Sequence, residues 1–403
     1  MGKVLRGLAI ILITAGAVAV GLAAATQPKP ALPLNAAGVT YGPDGGLSNI
    51  PLGATGGYVP GTNVLAAAAA ASQRLIAADR AWLAAGTIPG EGTPYAAMVE
   101  RALLDLRALT SEHGAPIAAN RASWRYVWPR DAAFAVAAMS ATGHHDDAER
   151  ILRFLWRSAP SDGLWHARYL PDGSGEPPDD REPQLDGSGW VPWALWHWTV
   201  SHPDQRRAEL VARELGAMAI SSADALMTRL GDDGLPPPSP DYWERRESRL
   251  TLGTAALASV GLRAAAELAP VLEVDGTAWQ QAAATLDDAL RAEFGNAGYP
   301  RTVPHGGADA AVAFVSPPFA RADGSTVEEA VRTAATALAV PNGGLRPGES
   351  WRKDADVAWT PATGLVALAL AGIGDDQAAM RLLTWLDTHR TAVGAIPEKV
   401  DAA

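Results

Sequence analysis

The chain of 403 residues contains no cysteine. Disulfides, zinc–thiolate sites and thiol nucleophiles are therefore excluded. Basic residues are also in deficit: 33 Lys and Arg stand against 44 Asp and Glu, a formal net charge of −11. Outside the first six residues the cations form no cluster, which argues against nucleic acid as a partner, because phosphate binding needs clustered Lys and Arg. The eight His are scattered, and the one adjacent pair, His144–His145, points in two directions on a helix. No metal and no cofactor is expected. Phe and Tyr are scarce, at 5 and 7, yet Trp reaches 14. Phe fills a core as well as Trp does. The excess therefore points to flat amphipathic surfaces with an N–H handle, suited to stacking on sugar rings.

What is present divides the chain into three parts. Residues 1–26 read as a signal peptide or a membrane anchor. Lys3 and Arg6 precede the uncharged run Leu8–Ala25, which ends in small residues and is also about long enough to span a bilayer. On either reading the body of the protein is secreted or held on the outer face of the cytoplasmic membrane. Residues 27–61, rich in Pro, Gly and small side chains, read as a flexible linker along the surface. From residue 62 the pattern is helical. Eleven stretches carry it: 63–85, 94–109, 132–141, 146–156, 189–200, 205–230, 250–268, 276–294, 327–339, 357–371 and 375–389. Short turns alternate with long loops at 158–188, 231–249, 296–325 and 341–356, and long loops in a compact domain usually carry function. Paired helices with long loops on one side predict an all-α closed ring of helical hairpins. An open solenoid would show a fixed repeat, and there is none.

Five loop segments hold the chemistry. Trp124-Arg-Tyr-Val-Trp-Pro-Arg-Asp131 sets Trp128, Arg130 and Asp131 together; such a pair can grip vicinal hydroxyls while a ring takes the C–H face of a sugar. Asp131 as an ordinary helix cap is the plainer alternative. Gln184-Leu-Asp-Gly puts Gln184 and Asp186 on one side of an extended stretch, or marks a turn. In Asp241-Tyr-Trp-Glu-Arg-Arg, Trp243 supplies Glu244 with an apolar wall of the kind that raises a carboxyl pKa, although by itself the motif reads more simply as an exposed Glu beside Arg245 and Arg246. Gly343–Asp354 contributes Arg346 and precedes Trp359, and Gly394-Ala-Ile-Pro-Glu-Lys-Val-Asp401 carries Glu398 after an apolar turn.

In this order the five motifs resemble glycoside hydrolase family 15, the glucoamylases, glucodextranases and acid trehalases, over roughly residues 63–401. The resemblance implies an (α/α)6 toroid in one catalytic domain, 62–403, and an inverting α-glycosidase that releases glucose from the non-reducing end of α-glucans or α-glucosides. It implies Glu244 as general acid and Glu398 as general base. Arg130, Asp131 and Arg346 would hold the terminal sugar, with Trp128, Gln184, Asp186, Trp243 and Trp359 completing the substrate site. Lys399 replaces the usual Gln after the base, and the twelfth helix of the ring is not evident. A non-catalytic carbohydrate-binding envelope protein on the same ring is the rival from another class. An (α/α)6 polysaccharide lyase is the third reading, for which the acidic composition is unsuited. Glu349 is the alternative base.

Overall fold

The computed structural model describes residues 35–401, apart from Pro43, Thr55 and residues 321–323. The apolar run and charged leader expected to export the protein lie outside the described residues. The ring itself is helical. Among the described residues eleven α-helices follow one another: α1 (Gln73–Ala85), α2 (Ala96–Leu109), α3 (Pro129–Ala141), α4 (His145–Arg157), α5 (Leu185–Ser201), α6 (Gln205–Met227), α7 (Leu252–Leu272), α8 (Thr277–Glu293), α9 (Ser325–Ala337), α10 (Thr360–Gly372) and α11 (Asp376–Thr388).

Contacts sort them into two layers. The inner layer runs α3–α5–α7, then the short 3-10 helix Ala310–Val315, then α10. Behind each inner helix stands an outer one: α4 behind α3, α6 behind α5, α8 behind α7, α9 against Ala310–Val315 and α11 behind α10. Composition explains the sorting. Leu252–Leu272 is apolar nearly all round and is buried without a break from Leu252 to Leu262, whereas His145–Arg157 alternates charged and apolar faces and buries Ile151, Leu152, Phe154 and Leu155. Two glycines let the inner helices approach closely. A Cβ built on Gly261 of α7 would stand 2.6 Å from the Cα of Gly189 in α5, so any side chain there forces the pair apart.

The outer layer joins its ends where Met98 of α2 packs with Trp385 and Leu386 of α11. Tyr95 and Thr384 share a hydrogen bond of 2.8 Å at the same seam. Among the described residues no further helix follows α11. Helix α1 lies against α2.

Two expectations need correction. The stretch read as linker contains an antiparallel hairpin, β1 (Gly38–Tyr41) with β2 (Leu47–Ile50), in register Gly38↔Ile50. Ala37, Val39 and Ile50 are buried, and the hairpin cluster includes Val393. Strands of four residues are too short to show an alternation, and Gly45, at φ 80°, turns between them. The tryptophan excess is largely a core feature as well: Trp165, Trp190 and Trp198 are wholly buried.

Candidate active site

The N-termini of the inner helices collect the long loops. At α3, Trp128 is the N-cap residue and Pro129 the first helical residue, where a missing N–H leaves nothing unsatisfied. Asp131 is therefore not the cap. It lies in the first turn, where the helix dipole favours a carboxylate. Arg130 reaches sideways to it, Nε to Oδ1 at 3.1 Å, and its Nη2 lies 3.7 Å from Oε1 of Glu244. Trp128 is buried, and its indole N–H donates to the same Oε1 of Glu244.

Glu244 comes from a tight turn. Its N–H donates to the carbonyl of Asp241 at 2.7 Å, and its φ is +52°, a left-handed conformation that a side chain other than glycine adopts at a cost of about 1–2 kcal/mol. Asp241, fully buried, holds the turn in place. Its Oδ1 accepts from the Trp243 N–H at 3.0 Å and from Arg301 at 2.9 Å, and its Oδ2 accepts from the Thr251 hydroxyl at 2.8 Å. Arg301, 4% exposed, also pairs with Glu247 at 2.7 Å and Asp309 at 3.3 Å. Its guanidinium lies 3.6 Å from the centroid of the Trp243 ring. One buried cation thus joins three carboxylates beneath the turn. The Tyr242 hydroxyl donates to Asp309.

The apolar wall expected for Glu244 is not what its carboxylate meets. The Trp243 face is covered by Arg301, while Oε2 of Glu244 accepts from Nη1 of Arg181 at 2.8 Å. Arg181 comes from the loop between α4 and α5 and also grips Asp179 through Nε and Nη2 at 3.1 Å.

Across the rim, Trp243 meets Trp351 edge-on at 4.9 Å, and Trp351 meets Trp359 at 5.2 Å. The Lys399 ammonium stands 4.0 Å from the Trp359 ring centroid. Glu398 is fixed by its backbone. Strand β3 (Ala358–Trp359) pairs with β4 (Lys399–Val400), and the N–H of Thr360 donates to the Glu398 carbonyl at 3.0 Å. Glu398 is nevertheless an exposed residue. Even so, the surrounding protein pushes its carboxyl above the ordinary range by removing water; the Asp131 charge adds to this and Lys399 opposes it. Arg130, the partner of Asp131, faces Glu244.

Helix α5 begins four residues earlier than the pattern suggested. Gln184 is its N-cap residue and Asp186 lies in its first turn, so the two do not share an extended strand. Asp186 is 2% exposed. Burial pushes its carboxyl up to about 7, the charges of Asp241 and Glu244 add to this, and Arg130 opposes it. Trp128, Arg130, Asp131 and Glu244 come together by direct contacts, with Trp243 next to Glu244 and Trp359 reached from it through Trp351; Glu398 precedes Lys399, the strand partner of Trp359. Arg346 does not pair with either glutamate. Its guanidinium donates to the Ala337 carbonyl at 3.4 Å, at the end of α9, where unsatisfied carbonyls attract a cation. Glu349 is tied down as well, accepting from the Ala308 N–H at 2.6 Å.

Sequence reasoning missed Arg301, Asp309, Arg181 and Trp351 as parts of this site. Arg301 stands alone in a Gly-Tyr-Pro-Arg loop with no local pattern, and Arg181 sits in Asp-Asp-Arg-Glu, which reads as a solvated charge run. Trp351 had a usable signal, a second aromatic in the loop that leads to Trp359.

The fold has solved counterparts. A wild-type glycosidase superposes with a TM-score of 0.64 at 20% identity, over 75% of this chain and 85% of its own. A bacterial glucoamylase in complex with acarbose gives 0.64 at 16%, over 83% of this chain and 55% of its own. The family 63 mannosylglycerate hydrolase of Thermus thermophilus, in complex with glucose, gives 0.52 at 16%, over 73% and 94%. The fold is the (α/α)6 toroid of the glucoamylase-like glycosidases. No family model matches the chain, and no curated protein sequence does.

Proposed function

We propose that the chain is an exported inverting α-glycosidase that removes glucose from the non-reducing end of α-glucans or α-glucosides. The observation that carries the reading is the contact of Arg130 with both Asp131 and Glu244, on the rim where the row Trp243–Trp351–Trp359 leads to the strand pair next to Glu398. Inverting hydrolysis requires two carboxyl groups on opposite sides of the sugar, with room for one water between base and sugar, and the roles fall here to Glu244 and Glu398. Glu244 gives its proton to the glycosidic oxygen as the bond from C1 to that oxygen breaks. Glu398 takes a proton from water while the water oxygen bonds to C1 from the opposite face. A base titrating above the ordinary carboxylate range is a stronger base near neutral pH, which suits Glu398 to this task. Arg130 and Asp131 would donate to and accept from the sugar hydroxyls, and Trp359, backed by Lys399, would present an aromatic wall. Export rests on Lys3, Arg6 and the run Leu8–Ala25.

The test is incubation of the purified protein with maltose, isomaltose, trehalose and soluble starch, following the anomer released by NMR. The expected result is β-glucose appearing first from at least one of them. Release of α-glucose first would remove the inverting assignment, and no release from any would remove the enzymatic one.

A further inference from the structure

We propose that Arg181 forms an anion subsite for the leaving group, so that the preferred substrates are α-glucosides whose aglycone carries a carboxylate. The inference rests on the glycosidase reading above and deepens it. Three guanidinium groups and three carboxylates line this side of the rim as pairs: Arg130 with Asp131, Arg168 with Asp179, and Arg181 with Glu244. With Glu244 ionised the set is neutral.

An acid catalyst cannot work in that state. Both Glu244 oxygens act as acceptors, Oε1 from Trp128 and Oε2 from Arg181, and the group has to donate to the glycosidic oxygen instead. Once Glu244 carries its proton, Arg181 loses the carboxylate partner of its Nη1 and keeps only Asp179, which also accepts from Arg168 at 2.7 Å. Arg130 keeps Asp131.

Arg181 is also well placed to accept a new partner. Its side chain is 38% exposed, so a ligand can reach it, yet its loop is anchored by the contact of His166 Nδ1 with the Arg181 carbonyl at 3.2 Å. Being hydrogen-bonded to the proposed acid, it lies where the departing group lies and away from the terminal sugar's hydroxyls. A carboxylate on the aglycone can take over Nη1 as Glu244 releases it, in the charge-assisted geometry that guanidinium favours. Such a substrate restores the charge balance and frees Oε2 in one exchange. A neutral aglycone leaves Arg181 on the acid.

The experiment compares 4-carboxyphenyl and 4-carbamoylphenyl α-glucosides, which are close in shape and differ in charge, on the wild-type protein and on Arg181→Gln and Arg181→Lys. The ratio of kcat/KM between the two substrates is the readout, so a general loss of activity cancels. We expect the wild type to favour the carboxylate, and Arg181→Gln to lower that ratio about tenfold or more, the worth of one charge-assisted contact. Arg181→Lys, which keeps the charge and loses the fork, should retain part of the preference and serves if the Gln variant does not fold. A ratio that neither variant moves, with both glucosides cleaved, overturns the anion subsite and leaves the glycosidase reading standing. If the wild type cleaves neither glucoside and releases no glucose from maltose, isomaltose or trehalose, the glycosidase reading falls and the subsite with it.

Discussion

Arg130 and Asp131, 3.1 Å apart in the first turn of α3, form a pair that reaches the proposed acid. Arg130 turns its far nitrogen to Glu244, 3.7 Å away. The chain arrives at Glu244 more than a hundred residues later.

The first expected outcome concerns rate. Glu244→Gln and Glu398→Gln keep shape and most hydrogen bonding while losing the proton function, so each should lower kcat by about 10²–10⁴-fold with KM changed far less. Steady-state kinetics on the best substrate of the panel decides this. A Glu244→Gln variant that turns over at the wild-type rate takes the acid role from Glu244.

The second concerns pH. Glu398 has to be ionised to act as base, so activity is lost as pH falls through its raised pKa. Lys399 lowers that pKa. Replacing it in Lys399→Met should move the acidic limb of the kcat/KM profile to higher pH, leaving the alkaline limb in place. A shift to lower pH, or none, would contradict the assignment.

Stability should show its own pH dependence at Asp186. Its folded pKa is raised to about 7, so the folded state holds the proton that the unfolded state releases above the ordinary carboxylate value. The stability linked to this group is fully present below about pH 4 and is lost progressively as pH rises to about 7. Asp186→Asn removes the loss. Melting curves should show the variant gaining on the wild type between pH 4 and pH 8, and a constant difference across that range would refute the linkage.

Arg301 is the fourth case. Removing it in Arg301→Met leaves the buried carboxylates of Asp241 and Asp309 without their cation, a change that should cost about 3–5 kcal/mol. Urea denaturation measures it. A loss under about 1 kcal/mol would mean that the network beneath Trp243 does not support the turn.

The ring was legible in the sequence because helix periodicity is a local signal: all eleven stretches correspond to helices, most with ends displaced by a few residues, while the first, expected from residue 63, starts as an α-helix only at Gln73, after the 3-10 turn Ala66–Ala71. Where the ends moved, capping decided it, as at α5, where the helix starts directly after Gln184. The hairpin at 38–50 escaped because four-residue strands draw their stability from a distant partner, Val393, which no local pattern announces. The same holds within the site. Trp-Glu and Arg-Asp are adjacent in sequence and could be read as units. Arg301 meets Asp241 and Asp309 only after three loops have folded together, and Arg181 meets Glu244 across the rim.

The left-handed backbone at Glu244 has an evolutionary consequence. Glycine is the residue that takes φ +52° without strain, and codons for Glu and Gly differ by one middle base. A single-nucleotide change therefore leads from the residue proposed to do the chemistry to one that relieves the backbone by about 1–2 kcal/mol. The same change strips the buried Trp128 N–H and the Arg181 guanidinium of their acceptor, a loss of about 1–3 kcal/mol. The codon is thus held by two hydrogen-bond donors as well as by the proposed chemistry, and the strain of the turn is offset by the contacts its own side chain makes.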